Sequence, residues 1–243
     1  MDLGLADRRF LVTGASRGLG AAVGRALAAD GAQVALVART GTPITADLSQ
    51  PDGPAAAVRE AVAALGGLDG LFVNSGGPPP GYFADLDEAT WEKAINGTLM
   101  SSIRLIREAL PHLRAGRDAS ILIVLSSSAR EPIPGLVTSN VLRPGLAGLI
   151  KSLAAEIAPI RINGLAPGRF ATDRVRELDE ARAAETGASV EEVKQAAIAR
   201  IPVGRYGDPD ELGRVGTFLL SPAASYLTGV ILPVDGGMIK ALP

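Results

Sequence analysis

The stretch that decides the fold is Thr13-Gly14-Ala15-Ser16-Arg17-Gly18-Leu19-Gly20. An apolar run typical of a buried strand precedes it, and a run with the small-residue face of a packed helix follows it. In that setting Gly14 permits a tight turn. Gly18 and Gly20 let the backbone approach a pyrophosphate, where free helix amides favour an anion. We therefore predict a dinucleotide-binding site formed by Gly14, Ser16, Arg17, Gly18, Leu19 and Gly20.

Strand and helix patterns alternate along all 243 residues. Only 4% of the residues are aromatic, so the core is aliphatic, as is typical of parallel strands buried on both faces. The predicted strands are 9–13, 33–38, 43–48, 68–73, 120–125, 161–165 and 230–234, and the predicted helices are 18–29, 54–65, 88–113, 146–157, 172–200 (a pair broken near Gly187) and 208–220. This pattern predicts an α/β protein, a single-domain Rossmann fold over residues 1–243 with a doubly wound parallel sheet of about seven strands and helices on both faces.

Three features interrupt this regular pattern. The stretch between Ala38 and Pro43 has no room for a helix, although parallel neighbours usually need a crossover of about a dozen residues. We therefore predict a truncated second crossover and a short third strand. Proline removes a helix amide, so Pro111 is expected to kink or end its helix, and Pro144 to disfavour regular helix just before it.

Composition excludes several classes of function. The net charge is −2 without a basic run, so no nucleic-acid partner is expected. The chain has no cysteine, and its single His112 lacks partners for a metal site, so no metal is predicted and His112 is assigned to packing or the surface. There is neither a leader pattern nor an apolar run of about 18 residues, so we expect a cytoplasmic protein without a membrane partner.

The end of the second predicted strand indicates which dinucleotide is bound. NAD sites place a carboxylate there for the ribose hydroxyls, whereas NADP sites place a cation for the 2′-phosphate. This chain has Arg39 at that point, and Arg17 in the glycine loop is a second cation. Either could be a solvated surface charge, but together two guanidinium groups favour a phosphate. We predict NADP(H) in preference to NAD(H).

Four motifs together resemble the short-chain dehydrogenase/reductase family over nearly the whole chain. The glycine loop matches fully, and Asn74-Ser75-Gly76-Gly77 is similar to the family's Asn-Asn-Ala-Gly motif. Residues 163–168 with Thr172 resemble its nicotinamide-side segment, and residues 225–237 its C-terminal strand. The resemblance implies further cofactor contacts from Asp47 and Leu48 near the adenine, and from Asn74, Ser75, Gly76, Arg143, Pro167, Gly168 and Thr172.

The family's catalytic tetrad is Asn, Ser, Tyr and Lys, and the resemblance finds only the serine in this chain. The register of the following helix puts Ser139 at the Tyr position and Arg143 at the Lys position. Ser126 takes the serine position and Thr98 the asparagine position. Asn96 is two residues away, about 200° round an α-helix, and is not expected to substitute. The chain is therefore similar to a divergent branch that resembles 3-oxoacyl-carrier-protein reductases without the Tyr/Lys pair.

These replacements change the chemistry that the resemblance implies. Serine is too weak an acid to protonate an alkoxide unaided, and arginine does not relay a proton. The Arg143 fork instead fits two ribose hydroxyls or a developing oxyanion. The proton is then expected from water, from the substrate or from Tyr82, whose other possible role is packing under its loop. The candidate catalytic residues are Ser126, Ser139, Arg143, Thr98 and Tyr82.

We therefore predict an NADP(H)-dependent oxidoreductase that acts on a small-molecule carbonyl, alcohol or enone by an atypical mechanism. Two alternatives remain open: a nucleotide-binding regulator or scaffold subunit without catalysis, and a lyase or isomerase without net hydride transfer. Residues 168–203 are expected to form a helical lid over the substrate pocket. The resemblance also implies a homotetramer or homodimer built on the helices at 88–113 and 140–158.

Overall fold

Seven parallel strands form the sheet of the computed structural model, which describes residues 2–241. In chain order they are β1 (Arg9–Thr13), β2 (Gln33–Ala38), β3 (Ile44–Thr45), β4 (Gly70–Val73), β5 (Ser120–Val124), β6 (Arg161–Pro167) and β7 (Ile231–Val234). Their order across the sheet is β3-β2-β1-β4-β5-β6-β7, and every neighbouring pair is parallel. The predicted doubly wound α/β fold is confirmed.

Helices cover both faces of this sheet. In the described part of the chain they are α1 (Gly18–Ala29), α2 (Gly53–Leu65), α3 (Glu88–Ala94), α4 (Ser101–Arg114), α5 (Val137–Glu156), α6 (Asp173–Thr186), α7 (Val190–Ile198) and α8 (Pro209–Leu220). One core cluster joins the sheet to α2, α4 and α5, and the other joins it to α1 and α8. In β1, Leu11 belongs to the first cluster and its neighbours Phe10 and Val12 to the second, so the strand is buried on both faces.

The second crossover is truncated, as predicted. Only five residues, 39–43, connect β2 to β3, and no helix forms between them. Strand β3 is two residues long and pairs Ile44 with Val37 and Thr45 with Ala38. The short loop leaves the carboxyl end of β2 close to the glycine loop after β1.

Both proline predictions are wrong. Helix α5 begins at Val137 and runs through Pro144, and α4 runs through Pro111 to Arg114. Leu142 and Leu146, which flank Pro144, are both buried in the core. Their packing outweighs the loss of one backbone hydrogen bond in each helix, so tertiary contacts override the local preference.

The model also bears on membrane insertion. Within residues 2–241, no helix is both long enough and apolar enough to cross a bilayer.

Candidate active site

The glycine loop is packed directly against the end of β4. Gly14 has a φ of +59°, and a Cβ atom there would lie 2.4 Å from the carbonyl oxygen of Asn74. A Cβ atom at Gly20 would lie 2.2 Å from the carbonyl oxygen of Gly14. The side-chain amide of Asn74 donates to that same Gly14 oxygen at 3.3 Å. Only glycine fits at these two positions, and the contact joins the loops after the two central strands.

Helix α1 offers an uncapped amino end beside this turn. Arg17 precedes the helix in an extended conformation, with φ of −160°, and its side chain makes no capping hydrogen bond. The first-turn amides therefore have no side-chain partner and suit an anion. Across from them, the Thr172 methyl carbon lies 3.6 Å from where a Cβ atom at Gly18 would stand. A dinucleotide pyrophosphate fits this gap between α1 and the segment after β6.

The residues predicted near the adenine lie on the short second crossover. Arg39 is exposed there, and a Cβ atom at Gly41 would lie 3.7 Å from Cβ of Ser16. The Asp47 carboxylate accepts from the hydroxyl of Ser49 at 2.7 Å and from its amide at 3.0 Å. The Ser49 hydroxyl is the largest factor lowering the pKa of Asp47, and the nearby charge of Arg39 also lowers it. Arg39 is thus placed at the edge of the glycine loop.

Two other predicted cofactor residues have structural partners. Leu48 is half-buried and packs against the core cluster under α2. Arg17 extends towards the lid helix, where its Nη1 atom lies 3.3 Å from a carboxylate oxygen of Asp173. The Arg17 side chain is 68% exposed, so a bound phosphate could draw it away from that ion pair.

The predicted nicotinamide-side residues lie at the carboxyl ends of β4 and β6. The backbone amide of Asn74 donates to the Thr13 hydroxyl at 2.9 Å, and Ser75 and Gly76 continue from it into the open crevice, where nothing lies within 4 Å of a Cβ built on Gly76. Pro167 ends β6, and the amide of Gly168 donates to the Val234 carbonyl at 2.9 Å. The two segments face each other across the middle of the sheet edge.

The serine that faces position 139 is not the one predicted. The Ser128 and Ser139 hydroxyl oxygens lie 2.8 Å apart, and both side chains are buried. Ser126 instead accepts a hydrogen bond from the amide of Ser128 at 3.1 Å and caps a short 3₁₀ turn over residues 127–129. Counting back along the chain missed Ser128 because it assumed the spacing of an extended loop, whereas the turn rotates the later serine towards α5.

Arg143 is buried one helical turn after Ser139, so the two side chains share a face of α5. Its Nη1 atom donates to the carbonyl oxygen of Val124, at the carboxyl end of β5, at 2.6 Å. Its buried Nε atom has no hydrogen-bond partner among the described residues. Burial, helped by the positive charge of Arg174, lowers the pKa of Arg143 to about 10, so the guanidinium remains charged at neutral pH.

Thr98 lies in a π-helical turn that the sequence did not predict. Residues 95–100 form this turn between α3 and α4, where a single regular helix was expected, so the angle assigned to Asn96 on an α-helix does not apply. Thr98 is buried, and its carbonyl oxygen accepts from the hydroxyl of Ser102 at 2.8 Å. Thr98 nevertheless points into the protein, whereas Asn96 is only half-buried.

Tyr82 contacts the lid instead of the buried serines. Its side chain is 44% exposed, and its hydroxyl donates to a carboxylate oxygen of Glu185 in α6 at 3.2 Å. With Phe83, Pro132, Ile133 and Val137 it lines a mostly apolar crevice of about 300 Å³ between the loop after β4 and the loop before α5. In this arrangement Tyr82 is a wall residue of that crevice.

Two polar clusters fix α6 over the sheet edge. The buried Asp179 carboxylate accepts from Arg169 and, at 2.8 Å, from the hydroxyl of Tyr206. At the amino end of the same helix, Arg174 donates to the carbonyl oxygen of Pro78 at 2.8 Å. The Arg174 contact was missed by reasoning from charge alone, because a helix of mixed charges usually presents them all to solvent.

Comparison with known proteins decides the family. A family model described as enoyl-(acyl carrier protein) reductase matches residues 14–239. The 3-oxoacyl-[acyl-carrier-protein] reductase MabA of Mycobacterium tuberculosis is 31% identical over 240 residues, covering 96% of this chain and 93% of that protein. This chain belongs to the short-chain dehydrogenase/reductase family. The prediction made from the four motifs is therefore confirmed at the level of the family.

Two solved structures of the family are informative. L-sorbose reductase from Gluconobacter frateurii, complexed with NADPH and L-sorbose, is 28% identical with a TM-score of 0.92 and full coverage of both chains, 100% each. A short chain oxidoreductase from Pseudomonas aeruginosa, described as containing an atypical catalytic center and bound to NADPH, is 29% identical with a TM-score of 0.86, covering 98% of this chain and 99% of that one. These relatives are oxidoreductases, which confirms the prediction of an enzyme of this class.

Proposed function

We propose that the protein is an NADP(H)-dependent oxidoreductase that reduces a carbonyl or enone, or oxidises the corresponding alcohol, without a tyrosine acid. The observation that carries this proposal is the buried, partly unpartnered guanidinium of Arg143 at the carboxyl edge of the sheet. It stands beside the Ser128–Ser139 hydroxyl pair and opposite a glycine loop whose geometry fits a dinucleotide. A buried donor without a partner is costly and suits an oxygen that gains charge during reaction.

The roles of the side chains follow from this geometry. Bound NADPH supplies a hydride to the carbonyl carbon. Ser139, held by Ser128, donates a hydrogen bond to the carbonyl oxygen, and Arg143 stabilises the negative charge that develops there. Neither residue gives up its proton, so the alkoxide takes one from water in the crevice. The balanced reaction is carbonyl, NADPH and a proton giving alcohol and NADP⁺.

The preference for NADP(H) is part of the proposal and rests on Arg39. This cation is exposed on the short second crossover, beside the glycine loop, where a 2′-phosphate would lie. The Gluconobacter and Pseudomonas relatives were both solved with NADPH, which supports the same preference. Asp47 is close by, but Ser49 already holds its carboxylate, so it competes less for the ribose.

Fluorescence titration with NADPH and NADH tests the cofactor. The unmodified protein is expected to bind NADPH at least tenfold more tightly. Arg39→Gln should remove most of that difference by weakening NADPH binding alone, since one guanidinium–phosphate contact is lost. Arg59→Gln, an exposed arginine on α2, is the control and should change neither affinity. Equal affinity for the two cofactors in the unmodified protein would contradict the preference.

Turnover separates the proposal from its alternatives. NADPH consumption at 340 nm with a panel of ketones, oxo acids and enones is the expected result. Tight NADPH binding without consumption of any of them favours a regulator or scaffold subunit. Conversion of a substrate with an unchanged cofactor spectrum favours a lyase or isomerase.

Residues 168–203 are proposed as the lid over the reacting groups. Two hydrogen bonds support this role, from Arg174 to the Pro78 carbonyl and from Tyr82 to Glu185, because both join α6 to the loop after β4. The crevice between that loop and α5 lies beneath them. Opening these contacts would admit a small-molecule substrate, and closing them would exclude water.

A further inference from the structure

A second guanidinium converges on the site of Arg143. Arg174 crosses from the amino end of α6 over Gly77, where a Cβ atom would stand 2.7 Å from its Nε atom. It then donates to the carbonyl oxygen of Pro78 at 2.8 Å. Its positive charge lowers the pKa of Arg143, which shows that the two cations are near neighbours.

Hydrogen bonds from three elements enclose the space between these two arginines. Thr138, at the start of α5, donates to the Pro79 carbonyl at 2.7 Å, next to the carbonyl that Arg174 binds. Arg143 binds the last carbonyl of β5, and β4 is the neighbour of β5 in the sheet. The loop after β4 is therefore held from both sides, and the two guanidinium groups stand under and over it.

Negative charge is scarce at this point. Arg143 has no carboxylate partner among residues 2–241, and the nearest carboxylate oxygen to Arg174 is that of Glu177, at 3.9 Å on the exposed side of α6. Two like charges brought together in a partly buried crevice repel one another, which is unfavourable unless an anion lies between them. The pyrophosphate position at the start of α1 is a different place, formed by Gly18 and Thr172.

We propose that Arg143 and Arg174 bind a carboxylate of the substrate, so that the substrate is an acidic carbonyl compound. This inference rests on the proposed oxidoreductase function, whose site it specifies. A guanidinium fork matches the two oxygens of a carboxylate, and Arg174 sets the specificity because it belongs to the proposed lid and is 37% exposed before a ligand binds. Arg143 remains available for the oxygen that is reduced.

Binding is tested first, with unreactive probes on the protein saturated with NADPH. Calorimetry with oxamate and malonate is expected to detect binding, whereas oxamide and malonamide, which lack the charge, should not bind. Arg174→Gln should weaken both carboxylates at least tenfold, and Arg174→Lys should weaken them less. Arg176→Gln, an exposed cation two residues on, is the control and should stay within twofold of the unmodified protein.

Turnover is tested with matched pairs, acetoacetate against ethyl acetoacetate and levulinate against methyl levulinate. The acids are expected to have the lower KM, and Arg174→Gln should raise that KM at least tenfold while leaving the KM of the esters unchanged. Esters reduced as well as acids, or carboxylates bound no better than amides, would overturn the carboxylate site and leave the reductase proposal standing. Carboxylate binding lost in Arg174→Gln, but with no NADPH consumed, would support the site and overturn the reductase.

Discussion

At the scale of single residues, the replacement at position 143 explains both a cost and a function. A buried guanidinium with one hydrogen bond and an unpartnered Nε atom destabilises the folded chain, because charge leaves water without full compensation. Lysine could retract or lose its proton in such a place, whereas arginine keeps its charge at neutral pH even with a pKa of about 10. The residue is therefore suited to stabilise an anion and unsuited to relay a proton.

This cost leads to a stability prediction. Arg143→Met should raise the free energy of unfolding by about 1–3 kcal/mol in the absence of ligands, since an apolar side chain removes an uncompensated charge. The same variant should lose NADPH consumption. Urea unfolding measures the first effect, with Lys151→Met on the exposed face of the same helix as a control expected to change little. A fall in stability of more than about 1 kcal/mol would show that the guanidinium is better compensated than we infer.

At the scale of elements, the amino ends of the strands are fixed by a buried carboxylate. The Asp69 side chain is fully buried and accepts from the Arg9 guanidinium at 2.9 Å and from the Arg117 amide at 2.8 Å. Burial alone would raise the pKa of Asp69, but hydrogen bonds from Arg9 and Arg117 outweigh it and lower the pKa to about 2. The group joins β1 to the loops before β4 and β5, at the end of the sheet opposite the active site.

The pKa of Asp69 determines how its contribution depends on pH. Because the folded value of about 2 lies below the unfolded value, the contribution is complete above about pH 4 and is lost as the pH falls through about 2. Asp69→Asn should cost about 3 kcal/mol at pH 7, since it leaves Arg9 without its charge partner. The difference from the unmodified protein should shrink between pH 4 and pH 2.

Denaturant unfolding at several pH values checks this prediction. Asp118→Asn is the matched control, because Asp118 also pairs with an arginine, at 2.7 Å, but its side chain is 74% exposed. Such a surface pair is worth at most about 1 kcal/mol. A loss at Asp69 no larger than the loss at Asp118 would contradict the assignment.

At the scale of the whole molecule, the active site lies where the strand order reverses. Strands β1 and β4 are neighbours, but the chain leaves them in opposite directions across the sheet, so their carboxyl ends open a crevice. The glycine loop follows β1, the Asn74 segment follows β4, and the groups around Arg143 follow β5. Cofactor and substrate groups are brought together by topology, although they are far apart in sequence.

Association is the prediction that belongs to this scale. Val141 is 54% exposed on α5, one of the two helices on which the family resemblance predicts a homotetramer or homodimer. Light scattering should find a multiple of the chain mass, and Val141→Glu should shift it towards the monomer, because a charge would be buried at the interface. Val203→Glu, at a residue 59% exposed outside both helices, should leave the mass unchanged. A monomeric unmodified protein would contradict the prediction.

The sequence by itself determined the strands, their parallel arrangement, the short second crossover and the glycine loop. These features depend on local patterns: branched aliphatic runs, glycine at positions where a Cβ atom clashes, and a stretch too short for a helix. Only the tertiary structure decided that α5 passes through Pro144, that Ser128 rather than Ser126 faces Ser139, and that residues 95–100 form a π-helical turn. Each of these depends on packing between distant segments, which outweighs the preference of the local chain. The meeting of Arg143 and Arg174 has the same origin, since no spacing in the chain relates α5 to the lid.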